Sequence, residues 1–212
     1  MQTRRSLAFL IIAMLLSACS TTTIKTDLAA HASARVCCSS DRSLPAPRPY
    51  EERIEITLGP NSPHFDFGSG LVPFLRISLP DSRSNALEII SLPRASALLS
   101  GGDGTLYYAD ARVIFLAADG TRLKEANLSS PALLLFGNPQ TYTYRRAAVI
   151  PAEAASIIIT SSMTDAGRKD EFTGGKSPSG SRIPLPGGMF ELKYTLSPYG
   201  NVVALFRDST ER

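Results

Sequence analysis

Arg53-Ile54-Glu55-Ile56-Thr57-Leu58 alternates polar and apolar residues without a break. Successive side chains of a β-strand point to opposite faces, so the pattern buries Ile54, Ile56 and Leu58 on one side. Gly59-Pro60-Asn61-Ser62-Pro63 then ends the strand. The same pattern recurs downstream. Leu75-Arg76-Ile77-Ser78-Leu79 alternates and stops at Pro80-Asp81, and Ala86–Leu92 and Arg112–Ala117 are further β-rich runs. Asp119-Gly120 reads as a hairpin turn with residues 121–126 returning. Leu133–Phe136, Tyr142–Val149 and Ser156–Thr160 are short strand candidates, and Phe190–Leu196 pairs with Val202–Phe206 through Ser197–Asn201.

Pro151–Ala155 and Ala95–Leu99 could each form one helical turn, but no apolar stripe at helical spacing extends beyond two turns. Many short strands divided by Gly and Pro turns imply an all-β fold, a single jelly-roll-like β-sandwich over residues 51–212. Residues 165–188 read as a long disordered loop, with Arg168-Lys169-Asp170-Glu171 as a solvated face.

Upstream of Tyr50 the pattern disappears. Residues 19–50 are rich in Ser, Thr, Ala and Pro, and are expected to form a flexible tether with at most a brief helix near Asp27–Arg35. Such a tether of about 30 residues has a root-mean-square span of roughly 30 Å and reaches about 100 Å when extended. It carries Cys37 and Cys38 side by side. Adjacent Cα atoms lie about 3.8 Å apart, below the usual disulfide range. Three states are open: a vicinal bridge acting as a conformational lock, a bond to another chain, or two free thiols. The first is preferred in an oxidising compartment.

The first residues have the parts of a secretory signal. Arg4 and Arg5 precede the apolar run Leu7–Leu16, and Ser17-Ala18 provide the small residues of a cleavage site. Ten apolar residues are too few to span a bilayer, which takes about twenty in a helix. Leu16-Ser17-Ala18-Cys19 reads as a lipobox, so residues 1–18 are the signal peptide and Cys19 is the lipidated N-terminus. Three acyl chains on one residue anchor stably where a single myristoyl chain holds only marginally. Ser20, where inner-membrane lipoproteins of the enterobacterial type commonly carry Asp, implies sorting to the outer membrane, facing the periplasm. Removing the signal lowers the formal net charge from +3 to +1, and no basic run suggests a nucleic-acid partner.

No residue set declares a chemistry. His31 falls in the expected tether, and His64 is the only histidine of the domain. A triad of His64, Asp66 and some serine can be written, but no G-x-S-x-G element supports it, and His64 reads as a surface or capped turn residue. Gly101-Gly102-Asp103-Gly104 lacks the Lys-Ser/Thr of a phosphate loop. Gly175-Lys176-Ser177 matches its end, but Asp170 stands where the first glycine belongs and Pro178 spoils the following helix. Asp103, Asp110 and Asp119 fit no calcium loop, and two thiolates with a distant His31 make no four-ligand zinc site. The expectation is therefore a non-enzyme without cofactor or metal. For a sugar ligand, Tyr142 and Tyr144 share one strand face by the two-residue period, flanked by Gln140 and Arg145, with Tyr107-Tyr108 as further candidates. Tyr142, Tyr144 and Arg145 are thus the candidate ligand-binding residues. The competing reading is cross-strand aromatic packing, the commoner use of such pairs.

Several segments together resemble the maltose-operon periplasmic protein (MalM) family over most of residues 36–206. They are Val36-Cys37-Cys38-Ser39-Ser40, Phe65-Asp66-Phe67-Gly68-Ser69-Gly70, Leu75–Pro80, Ala111–Gly120, Arg145–Pro151, Ser156–Ser161, and Ile183-Pro184 followed by Gly187–Leu192. The resemblance implies a periplasmic accessory to maltose or maltodextrin uptake, with no catalytic set to carry over. Its implied partners are the membrane through the lipid, and maltodextrin or envelope proteins of sugar uptake. A scaffold that binds another envelope protein is the alternative. The lipobox distinguishes this chain from the archetypal member.

Overall fold

Residue-level structure comes from a computed structural model that describes residues 27–81, 84–94, 106–126, 128–129, 132–136, 141–164, 166–173 and 191–207. Arg53–Leu58 forms strand β1 with strict exposed–buried alternation. It is the edge of a five-stranded antiparallel sheet in the order β1-β13-β4-β9-β8. Its partners are β13 (Gly200–Arg207), β4 (Ala86–Leu92), β9 (Thr141–Val149) and β8 (Ala132–Phe136). A second five-stranded sheet runs β2-β3-β10-β6-β7. These strands are β2 (His64–Asp66), β3 (Leu71–Ser78), β10 (Ser156–Ser161), β6 (Ala111–Leu116) and β7 (Arg122–Glu125). A third, smaller sheet joins β11 (Lys169–Thr173), β12 (Glu191–Ser197) and β5 (Leu106–Ala109), the last pair parallel.

The two large sheets enclose one core. Ile54, Ile56, Leu58, Leu87, Ile89, Val202, Ala204 and Phe206 from the first sheet cluster with Ile77, Val113, Phe115, Ile157 and Ile159 from the second. This is the layered sheet-on-sheet arrangement expected when strands present one apolar face each. The fold is all-β and sandwich-like, as the alternation predicts. Two backbone details depend on glycine. Gly120 takes φ 82° in the β6–β7 hairpin, a left-handed conformation that L side chains rarely adopt. A Cβ on Gly200 would sit 3.0 Å from the Ala109 Cβ, so a side chain there would push β13 away from β5.

β10 is buried along its whole length, on both faces. Its outer face lies in a second cluster of Leu44, Phe65, Phe74, Ile114, Leu116 and Ile158, with Cys38 and Phe67 against it. Leu44 and Cys38 belong to the segment expected to be a free tether, and that expectation is corrected. Residues 27–32 are helical, and the chain through Arg48 then runs along the domain as a strap. The physical cause is the unpaired edge of the second sheet, whose backbone groups need partners. Val36 bridges His64 on β2 and Arg48 bridges Ile77 on β3, both in parallel. Cys37 N–H donates to the His64 carbonyl at 2.9 Å, Arg48 N–H to the Arg76 carbonyl at 2.8 Å, and Ser78 N–H to the Arg48 carbonyl at 2.9 Å. A guanidinium completes the strap. Arg122 grips Asp41 with Nε and Nη2 at 2.5 and 2.8 Å, donates to the Phe67 carbonyl at 2.8 Å, and lies 5.1 Å from the Phe67 ring centre.

Other departures are smaller. Pro151–Ala155 is a turn closed by Ala154 N–H on the Pro151 carbonyl, not a helical one. Lys169-Asp170-Glu171 lies in β11 and pairs with β12, so the expected loop of residues 165–188 contains a strand. Ala95–Leu99, the Gly101–Gly104 run and residues 174–188 lie outside the described residues, as do residues 1–26 with Cys19.

Candidate functional site

Tyr144 does not offer a sugar platform. β9 pairs with β4 so that Tyr144 opposes Ser91 and Ala148 opposes Leu87, which turns Tyr144 toward the inside of the sandwich, where it is 2% exposed. Its ring stacks on Tyr108 at 5.9 Å and meets Tyr194 at 5.8 Å, closing one end of the core with three aromatics. Arg146 donates to its hydroxyl at 3.1 Å and lies 5.4 Å over the ring, while also pairing with the buried Asp110 at 3.2 Å. Burial pushes the Tyr144 phenol up, with Arg146 holding it back. Arg145 faces the other way and is used in the sheet, donating to Glu88 at 3.0 Å and Thr143 at 3.1 Å. Tyr144 is therefore corrected from a ligand contact to a packing role, and Arg145 lies on the opposite face of β9. Tyr142 opposes Leu135 in the β8–β9 register.

The structure instead brings together both histidines of the chain, which the sequence separates. His64 is 2% exposed, buried and not a surface turn residue. His31, on the helical turn of the strap, faces it with ring centres 5.9 Å apart, and Tyr199 stands 6.0 Å from each. His64 Nδ1 is 2.7 Å from the Ser62 carbonyl, which only accepts, so Nδ1 carries the proton. Its Nε2 is left to accept from the Tyr199 hydroxyl at 3.4 Å. Beside this group lies Asp27, whose carboxylate takes a hydrogen bond from Ser197 at 2.9 Å and an ion pair from Arg94. Burial, then the Asp27 carboxylate, push the Tyr199 phenol up. Asp66 takes no part: its carboxylate caps the following turn, accepting from Gly68 and Gly70 N–H at 2.7 and 3.0 Å. No triad forms around His64.

Burial lowers both imidazole pKa values, and for His31 the neighbouring His64 adds repulsion. Folding therefore disfavours the protonated forms, and the unfolded chain binds more protons below about pH 6.5. Stability from this pair is complete above that pH and drains as pH falls toward the lowered folded values. The thermal midpoint should be lower at pH 5.5 than at pH 7.5, and His31→Phe should shrink that difference. Identical pH slopes for both proteins in calorimetry would refute the assignment.

A shallow open depression of about 540 Å³ lies where Ser40, Asp41 and Arg42 of the strap meet Gly120, Thr121 and Arg122 of the β6–β7 hairpin. Its acid and one of its cations are spent on each other, Asp41 on Arg122. Asp119, in the same hairpin, is held below the usual carboxylate range by hydrogen bonds from the Thr121 N–H and hydroxyl, with Arg42 contributing. Cys37 and Cys38 are joined to each other, with Cα atoms 3.8 Å apart, where the strap crosses His64. Among the described residues, no three His, Cys, Asp or Glu side chains approach closely enough to hold a metal ion.

The His31–His64–Tyr199 group is not legible in the sequence, because a tether over residues 19–50 places His31 outside the domain. The one available signal was that these are the chain's only histidines. Comparison with family models, curated proteins and solved structures finds no match to this chain.

Proposed function

We propose that this chain is a periplasmic accessory lipoprotein anchored to the outer membrane, resembling the maltose-operon proteins and assisting maltose or maltodextrin uptake without catalysis. The observation that carries the reading is the lipobox Leu16-Ser17-Ala18-Cys19 behind Arg4-Arg5 and an apolar run. The described domain fits a non-catalytic role. Asp27 pairs with Arg94, Asp110 pairs with Arg146, and His64 Nδ1 donates to the Ser62 carbonyl, contacts that hold a structural framework together.

The anchor is tested by mass spectrometry of the N-terminal peptide and by fractionation. The wild-type peptide should begin at an acylated Cys19 and follow the outer membrane. Cys19→Ser should lose the lipid and leave the membrane fraction. An unmodified wild-type Cys19 refutes the lipoprotein reading. The ligand is tested by titrating maltodextrins into the protein and following tyrosine fluorescence and NMR shifts. Saturable shifts at millimolar sugar support direct binding. Their absence removes the sugar-binding form and favours a scaffold that binds another envelope protein.

A further inference from the structure

We infer that the end of the sandwich carrying the strap helix rests against the phospholipid surface, with Leu28 and Val36 facing the lipid; this rests on the lipidated reading of Cys19. Cys19 and Asp27 are eight peptide steps apart. Even fully extended, eight residues reach only about 29 Å. Asp27 is fixed to the domain by Arg94 and Ser197, so the slack available to a free tether of thirty residues does not exist. The domain is reeled in.

The direction of approach follows from the register. The strap's His31 lies against Tyr199, next to Gly200 at the start of β13. Arg207, at the other end of β13, pairs with Ala86, which pairs with Val149. Seven residues of strand separate these ends, about 23 Å. The anchored end is therefore the Tyr199 end, and Val149 marks the distal end.

The surface near the anchor suits a lipid. Among the described residues three large apolar side chains are conspicuously exposed: Leu28 at 37%, Val36 at 59% and Val149 at 76%. Two of the three are on the strap. Arg35 beside Val36 is exposed. Apolar side chains with interspersed cations are what an interfacial segment presents to anionic headgroups.

The chain contains no tryptophan, so each introduced Trp reports alone. Leu28→Trp, Val36→Trp and Val149→Trp would be made in the full acylated protein and reconstituted in phosphatidylethanolamine–phosphatidylglycerol vesicles containing brominated acyl chains. Quenching of Leu28→Trp and Val36→Trp is expected to be severalfold stronger than that of Val149→Trp. Equal quenching at all three positions in protein that floats with the vesicles would overturn the orientation while leaving the anchor intact. Protein that neither floats nor carries acyl mass on Cys19 would overturn the anchor and, with it, this inference.

Discussion

Phe74→Ala is expected to remove about 3–5 kcal/mol of stability, the range for emptying a large aromatic site in a packed core. Phe74 is 1% exposed and points away from the main core, into the cluster under the strap. Its ring meets Phe67 edge-on at 5.3 Å, and Leu44 of the strap belongs to the same cluster. The site lies between the outer face of the second sheet, with Ile158 of β10 beside it, and Leu44 of the strap, so it cannot collapse without moving one of them. The loss should appear in urea unfolding as a lower midpoint, and Phe74→Leu should recover more than half of it. A change under about 1 kcal/mol would mean that the strap settles into the gap and that its packing is loose.

Asp27→Ala should cost about 3 kcal/mol, near the lower end for breaking a buried pair by removing one partner. The carboxylate is 7% exposed and Arg94 30%, so Arg94 recovers some hydration while the Ser197 hydroxyl loses its acceptor. The damage should be local. The Cys37 amide, which donates to the His64 carbonyl, should exchange with solvent faster, while amides of β10 stay protected. Asp27→Asn keeps an acceptor for Ser197 and should recover part of the protection. Uniform loss of protection across the core would show instead that the strap and sandwich unfold as one unit.

The large strands were legible because each buries one face. Ile54-Glu55-Ile56 and Leu75-Arg76-Ile77 place apolar side chains at period two, and a half-buried sheet demands that period. β2, β5 and β11 were not. Three or four residues carry too little periodicity, and the charged Lys169-Asp170-Glu171 gives no sign that its backbone pairs with β12. The tyrosines show a finer limit. Period two puts Tyr142 and Tyr144 on one face without saying which; the pairing of Tyr144 with Ser91 decides that Tyr144 turns inward.

The strap was hidden for a related reason. Its attachment uses backbone groups, the Asp41–Arg122 and Asp27–Arg94 pairs, and a single well-buried leucine, none of which a polar composition reveals. By itself, then, the sequence determines the all-β, sandwich-like class, because that class is written in local patterns of hydropathy. Only the tertiary structure decides that residues 27–50 are part of the domain and that His31 meets His64 and Tyr199. Those contacts join positions tens of residues apart, and they depend on which sheet edge is left unpaired once the strands have assembled.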